Sequence, residues 1–185
     1  MSLLDEILEY SGEFVRTKQY EPYRTSGLPS KRMVIVACMD TRLVELLPKA
    51  MNVKNGDAIV VKSAGAMVTD PFGDVMRSIL VALYELQAEE VFVVGHHGCG
   101  MNRINPSTTL STMKQRGISE ETIRVLQNGG IDIHTWLQGF HDVTNSVRQS
   151  VDVIQKHPLL PPSTPVHGMI IHPDTGQLEV VVRGY

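Results

Sequence analysis

Val34-Ile35-Val36-Ala37 is an unbroken apolar run, mostly β-branched, that stops at Cys38 and then delivers Asp40 and Arg42 at alternate positions. So short and apolar a run reads as a strand buried on both faces, the kind found in a parallel sheet covered by helices. Open α/β sheets carry their ligands at the C-terminal ends of their strands. Cys38, Asp40 and Arg42 therefore fall where such a protein does its chemistry. A second stretch answers the first. Val91-Phe92-Val93-Val94-Gly95 is again apolar and runs into His96-His97-Gly98-Cys99-Gly100, which holds the other of the chain's two cysteines.

Between and around these stretches, strand and helix patterns alternate. Ser2, with Asp5 three residues on, caps a first helix whose apolar face is Leu3, Leu4, Ile7, Leu8, Phe14 and Val15. That helix either packs on its own domain or forms an arm lying on a second subunit; a long Tyr-, Pro- and Gly-bearing connector, residues 19–31, separates it from the first strand. Residues 43–51 read as a short helix bent or ended around Pro48. Residues 58–62 read as a strand that leads into the small residues Ser63-Ala64-Gly65-Ala66, where backbone can approach a ligand or a neighbouring chain. Asp70-Pro71 has the form of a cap and first helical residue, with Phe72, Val75, Met76, Ile79, Leu80, Leu83 and Leu86 at helical spacing. Residues 105–131 are polar, with Ser107 and Ser119 as caps and Gly129-Gly130 as a stop. A helix over 139–156, a strand over 166–171, a Pro173-Asp174-Thr175-Gly176 turn and an edge strand over 178–182 complete the chain. The alternation predicts an α/β fold: a mostly parallel sheet with helices on both faces, one antiparallel edge and an N-terminal helical arm. At 185 residues it is one domain, residues 1–185, of which 1–30 are arm and connector.

Composition narrows the function classes. A net charge of −3 leaves no basic footprint for nucleic acid, and no apolar run is long enough to span a membrane. The first residues lack the basic start and apolar core of a secretion signal, so a reducing cytoplasm is expected. Two cysteines there favour a metal or a catalytic role over a disulfide.

His96 and Cys99 stand three apart, a chelating spacing, and Gly98 and Gly100 let the loop bend around an ion. Right-handed crossovers and short connections place the first and third strands side by side or with two strands between them. Side by side, their ends bring Cys38 to His96 and Cys99. Two thiolates and an imidazole select zinc over magnesium or calcium, and a catalytic zinc leaves its fourth position to water. The competing reading makes Cys38 a small buried hydrophobe and His96 a hydrogen-bonded core histidine. His97 points away from the presumed ligand set, and His134, His141, His157, His167 and His172 lack chelating spacing and fall to surface or core roles. Arg42 and Asp40 are either a surface ion pair or a bidentate clamp that keeps Asp40 ionised. An ionised Asp40 can only accept a hydrogen bond, which orients a water for attack; it can also bind the metal itself and close the site.

With these residues in place, the chain resembles the β-class carbonic anhydrases. The family's Cys-x-Asp-x-Arg and His-x-x-Cys signatures stand as Cys38-Met39-Asp40-Thr41-Arg42 and His96-His97-Gly98-Cys99, the latter framed by Gly95 and Gly100. The resemblance implies strand order 2-1-3-4-5 with the last strand antiparallel, and homodimers or higher oligomers whose N-terminal helices embrace the partner. It implies one Zn²⁺ per chain on Cys38, His96 and Cys99, with Asp40 a further ligand in a closed form only. Asp40 and Arg42 become the catalytic dyad, and Gly100, with Gly65 and Ala64, the substrate-binding wall. The reaction implied is reversible hydration of carbon dioxide to bicarbonate and a proton. Two departures place the chain with short, divergent bacterial members: no glutamine stands near Leu28-Pro29-Ser30, and Ser63-Ala64-Gly65-Ala66 replaces the usual Asn-Ala-Gly-Asn. Relatives on this fold hydrolyse carbonyl sulfide or carbon disulfide, which is the alternative activity. A structural or regulatory zinc closed by Asp40 is the non-catalytic one.

Overall fold

The computed structural model describes residues 1–185. Its five strands are β1 (Met33–Cys38), β2 (Ala58–Ser63), β3 (Glu90–His96), β4 (Val166–Ile171) and β5 (Leu178–Val182). They form one sheet in the order β2-β1-β3-β4-β5, parallel except for the β4–β5 pair. No strand stands between β1 and β3, which settles the neighbour question. Ala37 lies opposite Lys62 on one side and Val94 on the other, so Cys38 and His96 end adjacent strands at the same edge.

Every residue of β1 is buried, and successive side chains go to opposite faces. Val34 and Val36 join Val91, Val93, Met76, Ile79, Val147 and Ile154 in one core; Met33, Ile35 and Ala37 join Leu43, Leu47, Val53 and Val94 in the other. The first core lies under α3 (Asp74–Tyr84) and α7 (Val143–Gln155), the second under α2 (Leu43–Ala50). Each fully buried aliphatic side chain contributes about 1.5–3 kcal/mol, so the two-faced burial of β1 is a large share of what holds the layers together. No helix is long and apolar enough to cross a membrane.

Several sequence expectations shift, among them the helix expected over 139–156, which begins at Val143 behind an Asp142 cap. The predicted start of the third helix at Asp70-Pro71 is a turn instead: Phe72 N donates to Asp70 Oδ1 at 2.8 Å and Gly73 N to the Asp70 carbonyl at 3.1 Å. Those bonds close a turn over residues 70–73, and α3 begins at Asp74 behind Gly73 and ends before Leu86. Phe72 lies outside the helix, 75% exposed, its ring 5.2 Å from that of His157. In the polar stretch, Asn105 rather than Ser107 caps α4 (Pro106–Gln115), accepting from the amides of Ser107 and Thr108, while Ser119 caps α5 (Glu120–Asn128) as expected. A short helix, α6 (Ile133–Leu137), follows on an Asp132 cap that periodicity was too brief to reveal. Pro48 sits inside α2, which runs on to Ala50; the hydrogen bond it removes is to the carbonyl of exposed Val44.

The helix α1 (Leu3–Arg16) carries the expected Ser2/Asp5 capping box and buries none of its residues. Its Leu3, Leu4, Ile7 and Leu8 side chains all face water.

α7 lies close against the sheet because Gly95 and Gly168 leave room for it. A Cβ on Gly168 would sit 2.7 Å from Val147 Cγ1. Gly168→Ala is expected to destabilise the fold by about 1–3 kcal/mol through overpacking, read as a lower urea midpoint at unchanged slope.

Candidate active site

Cys38 closes β1, His96 closes β3, and Cys99 follows across a turn in which Gly98 takes a φ of +65°. The three residues are buried and their ligand atoms lie within 4.8 Å of one another, the two sulfurs 3.8 Å apart. The parallel register of β1 and β3 produces this meeting of segments about sixty residues apart in the chain.

The ring of His96 is oriented by its own neighbour. Nδ1 lies 2.9 Å from the His97 carbonyl, which can only accept, so Nδ1 carries the proton and Nε2 offers a lone pair. That Nε2 is buried without a hydrogen-bond partner, 3.7 Å from Asp40 Oδ2. A buried unpaired nitrogen costs about 1–3 kcal/mol, a cost that a coordinated cation removes. The nearby Cys38 sulfur has the largest influence on His96 and raises its pKa against the effect of burial.

The thiols behave differently. Burial pushes Cys38 up, but His96 and the amides of Asp40 and Gly65 outweigh it and bring the thiol down to about 7. Burial pushes Cys99 up to about 11, opposed by the Met101 amide and reinforced by the charge of Cys38. Two thiolates this close repel each other, and a divalent cation set between them and the imidazole keeps both ionised. The donor set, its tautomer and its charge thus fit a zinc ion.

Asp40 stands beside this cluster in the grip of Arg42. Arg42 Nε reaches Oδ1 at 3.0 Å, Nη2 reaches Oδ2 at 2.9 Å, and the Arg42 amide donates to Oδ1 at 3.0 Å. The Arg42 side chain is the main reason the Asp40 carboxyl is held down to about 2. The folded value lies below the unfolded one, so the pair's stabilisation is complete above about pH 4 and is lost as pH falls toward about 2. A partly exposed pair contributes only about 0–1 kcal/mol to stability. Its effect is to aim a carboxylate that stays an acceptor at neutral pH.

Cys38, Asp40, Arg42 and Cys99 line a cavity of about 490 Å³; Ala64, Gly65, Met101 and Ile104 give it an apolar portion, and Gly100 lies in its wall. Gly65 has a φ of +72°, and a Cβ there would meet Met101 Cγ and Phe140 Cε1 at 3.0 Å, so only glycine fits. His97 turns away from the cluster, its Nε2 3.4 Å from Glu179 Oε1. Sequence reading missed Met101, Ile104 and Phe140, which carry no signal beyond being apolar. It also missed Lys62, whose Nζ donates to the Cys38 carbonyl at 3.2 Å; a lone charge in a β-branched strand was its only mark.

The family model described as carbonic anhydrase matches residues 33–178. The chain is 58% identical over 185 residues to the Bacillus subtilis protein named "Putative carbonic anhydrase YvdA", covering 100% of this chain and 94% of that one. The crystal structure of β-carbonic anhydrase isoform I from Trichomonas vaginalis superposes with a TM-score of 0.91 at 34% identity, covering 100% of both chains. A carbon disulfide hydrolase of Acidithiobacillus thiooxidans is 28% identical over 189 residues, covering 96% of this chain and 90% of that one. A family match over most of the chain, a common fold from end to end and a Cys/His/Cys cluster at the sheet edge lead to one statement: this protein belongs to the β-carbonic anhydrase family.

Proposed function

We propose that the protein catalyses the reversible hydration of carbon dioxide to bicarbonate and a proton, with one zinc ion per chain held by Cys38, His96 and Cys99. The observation that carries this reading is the unpaired, buried Nε2 of His96, converging with two buried sulfurs beside a carboxylate that is locked in its ionised form. Zinc, when bound, supplies the Lewis acidity that makes a water nucleophilic near neutral pH. The chain supplies the rest. Asp40, having only acceptor oxygens, takes a hydrogen bond from the reacting water and turns its lone pair toward the substrate carbon. Arg42 holds Asp40 in that orientation and away from the metal. Ala64, Gly65 and Gly100 line the pocket that receives a small linear molecule, and the apolar side of the cavity suits one without a net dipole. The same apolar wall also suits carbon disulfide, the substrate named for one relative, and that hydrolysis is the second reading. Keeping both thiols reduced for the metal suits a cytoplasmic setting.

The exposed Leu3/Leu4/Ile7/Leu8 stripe on α1 is apolar surface of a kind that chains bury on assembly. We assign it to a second copy of this chain.

Four measurements test these readings. Elemental analysis of protein purified without chelator should give one zinc per chain, and Cys99→Ser should lose it; full retention by that variant would overturn the ligand set. Stopped-flow assays should show turnover of carbon dioxide well above that of carbon disulfide; the reverse order would favour the second reading. Asp40→Asn should lower turnover on the order of a hundredfold or more at every pH tested, because an amide can donate where an acceptor is required, and Arg42→Ala should follow it. Deleting residues 1–18 should lower the molar mass seen by light scattering; an unchanged mass would remove the arm from the assembly.

A further inference from the structure

The stretch that joins β2 to α3 supplies part of the cavity wall, and its backbone is strained there. Ala64, Gly65 and Ala66 form a single turn in which Gly65 has a φ of +72° and Ala66 a φ of +56°. Glycine enters the left-handed region freely, whereas the Cβ of an alanine crowds the following carbonyl. A residue held in such a conformation persists only where its surroundings over-determine it, and residues of this kind gather at functional sites.

Two hydrogen bonds from other parts of the chain fasten the turn. Upstream, the Met39 amide donates to the Ser63 carbonyl at 2.9 Å, from the loop that leads from Cys38 to Asp40. Downstream, the Val68 amide donates to Ser150 Oγ at 3.1 Å. The turn's own bonds are longer: Met67 N reaches the Ala64 carbonyl at 3.4 Å, and Ser63 Oγ the Met67 carbonyl at 3.5 Å.

Ser150 is well placed to be a fixed point. It lies in α7 on the helix's buried side with Val147, Val151 and Ile154, and is only 3% exposed. Gly95 lets that helix seat on the sheet, since a Cβ there would lie 2.8 Å from Val147 Cγ2. A hydroxyl is costly to bury without a partner, and the equally buried Val68 amide is one. Packing alone does not join the two segments. Met67 and Thr69, together with Gln149 and Val153 of α7, line a cavity of about 300 Å³.

We propose that Ser150 is a positioning residue for substrate binding: from α7 its hydroxyl clamps the Val68 amide and keeps the strained turn where Ala64 and Gly65 line the active-site cavity. The inference rests on the carbon dioxide reading above. Without the hydroxyl a buried amide loses its partner. The strain at Ala66 acts in the same direction, so the turn relaxes away from the cavity. Cys38 and His96 close β1 and β3 and do not depend on this bond. The wall touches the substrate before and during the reaction alike, so its displacement weakens binding rather than the chemical step.

The test compares the zinc-loaded full chain with Ser150→Ala and Ser150→Thr, by carbon dioxide hydration and by hydrogen exchange of backbone amides. Ser150→Ala should raise KM for carbon dioxide on the order of threefold to tenfold while kcat holds. Exchange at the Val68 amide should quicken on the order of tenfold, with the amides of the sheet unchanged. Ser150→Thr keeps the hydroxyl and should keep parental KM and exchange. Parental KM or parental Val68 exchange in Ser150→Ala would overturn the clamp, as would the same losses in Ser150→Thr. Faster exchange throughout the chain would mark a merely structural role and overturn it too. A parental protein that turns over no carbon dioxide would overturn the functional reading; faster exchange confined to residues 64–69 in Ser150→Ala would still show that Ser150 holds the turn.

Discussion

Parallel pairing of β1 with β3 is the constraint from which the site follows. A strand of six residues is about 20 Å long, so reversing either strand would put Cys38 and His96 at opposite edges of the sheet. Parallel pairing requires a crossover, here the run through α2, β2 and α3, and it requires that both faces of the sheet be covered. The burial of all six β1 residues and the existence of the site are therefore the same fact seen twice. Core residues such as Ile35 and Val36 contribute to the site by fixing which backbone ends meet.

The site itself is built by graded desolvation. Cysteine tolerates burial as a small hydrophobe, so Cys38 and Cys99 cost little until they ionise. The imidazole of His96 is different, because its Nδ1 is satisfied by the His97 carbonyl and its Nε2 is left unpaired. Asp40, two residues beyond Cys38, is only partly buried, and a fork of two Arg42 nitrogens holds both of its oxygens. The ion pair is too solvated to stabilise the fold much, yet its geometry is rigid. What it determines is where a charge points.

The parts of this arrangement that were legible in the sequence share a property: they depend on residues near one another in the chain. β1, β4 and β5 are read to within one residue from apolar runs and turn residues, and the Ser2/Asp5 capping box is read from its spacing. Cys38, Asp40, Arg42, His96 and Cys99 stand out because their residue types carry chemistry at short intervals. Competition between equally good local options was harder to resolve. Asp70-Pro71 satisfies both a cap and a turn, and the turn formed; Ser107 had cap chemistry, but Asn105 precedes the proline that starts α4. The apolar side of the cavity was not legible at all. Met101 and Phe140 reach Gly65, and Ile104 joins the cavity lining, only through tertiary packing, and nothing in an apolar side chain says which cavity it will face.

Helices α4, α5 and α6 have a small core of their own, Leu110, Ile123 and Ile133, separate from the two cores that clasp the sheet. A unit with a private core can drift in sequence and orientation without disturbing the strand ends that hold Cys38 and His96. It is still tied to the site where Gly139 lies on the Met101 carbonyl and Phe140 on Gly65. Both contacts need a glycine, so a side chain at either position would pry the helical unit from the cavity wall while leaving the Cys/His/Cys cluster in the sheet. The fold thereby separates two tasks. The sheet fixes the Cys/His/Cys geometry and the acceptor beside it, and the helical unit packs against the cavity wall through Phe140 and Gly139.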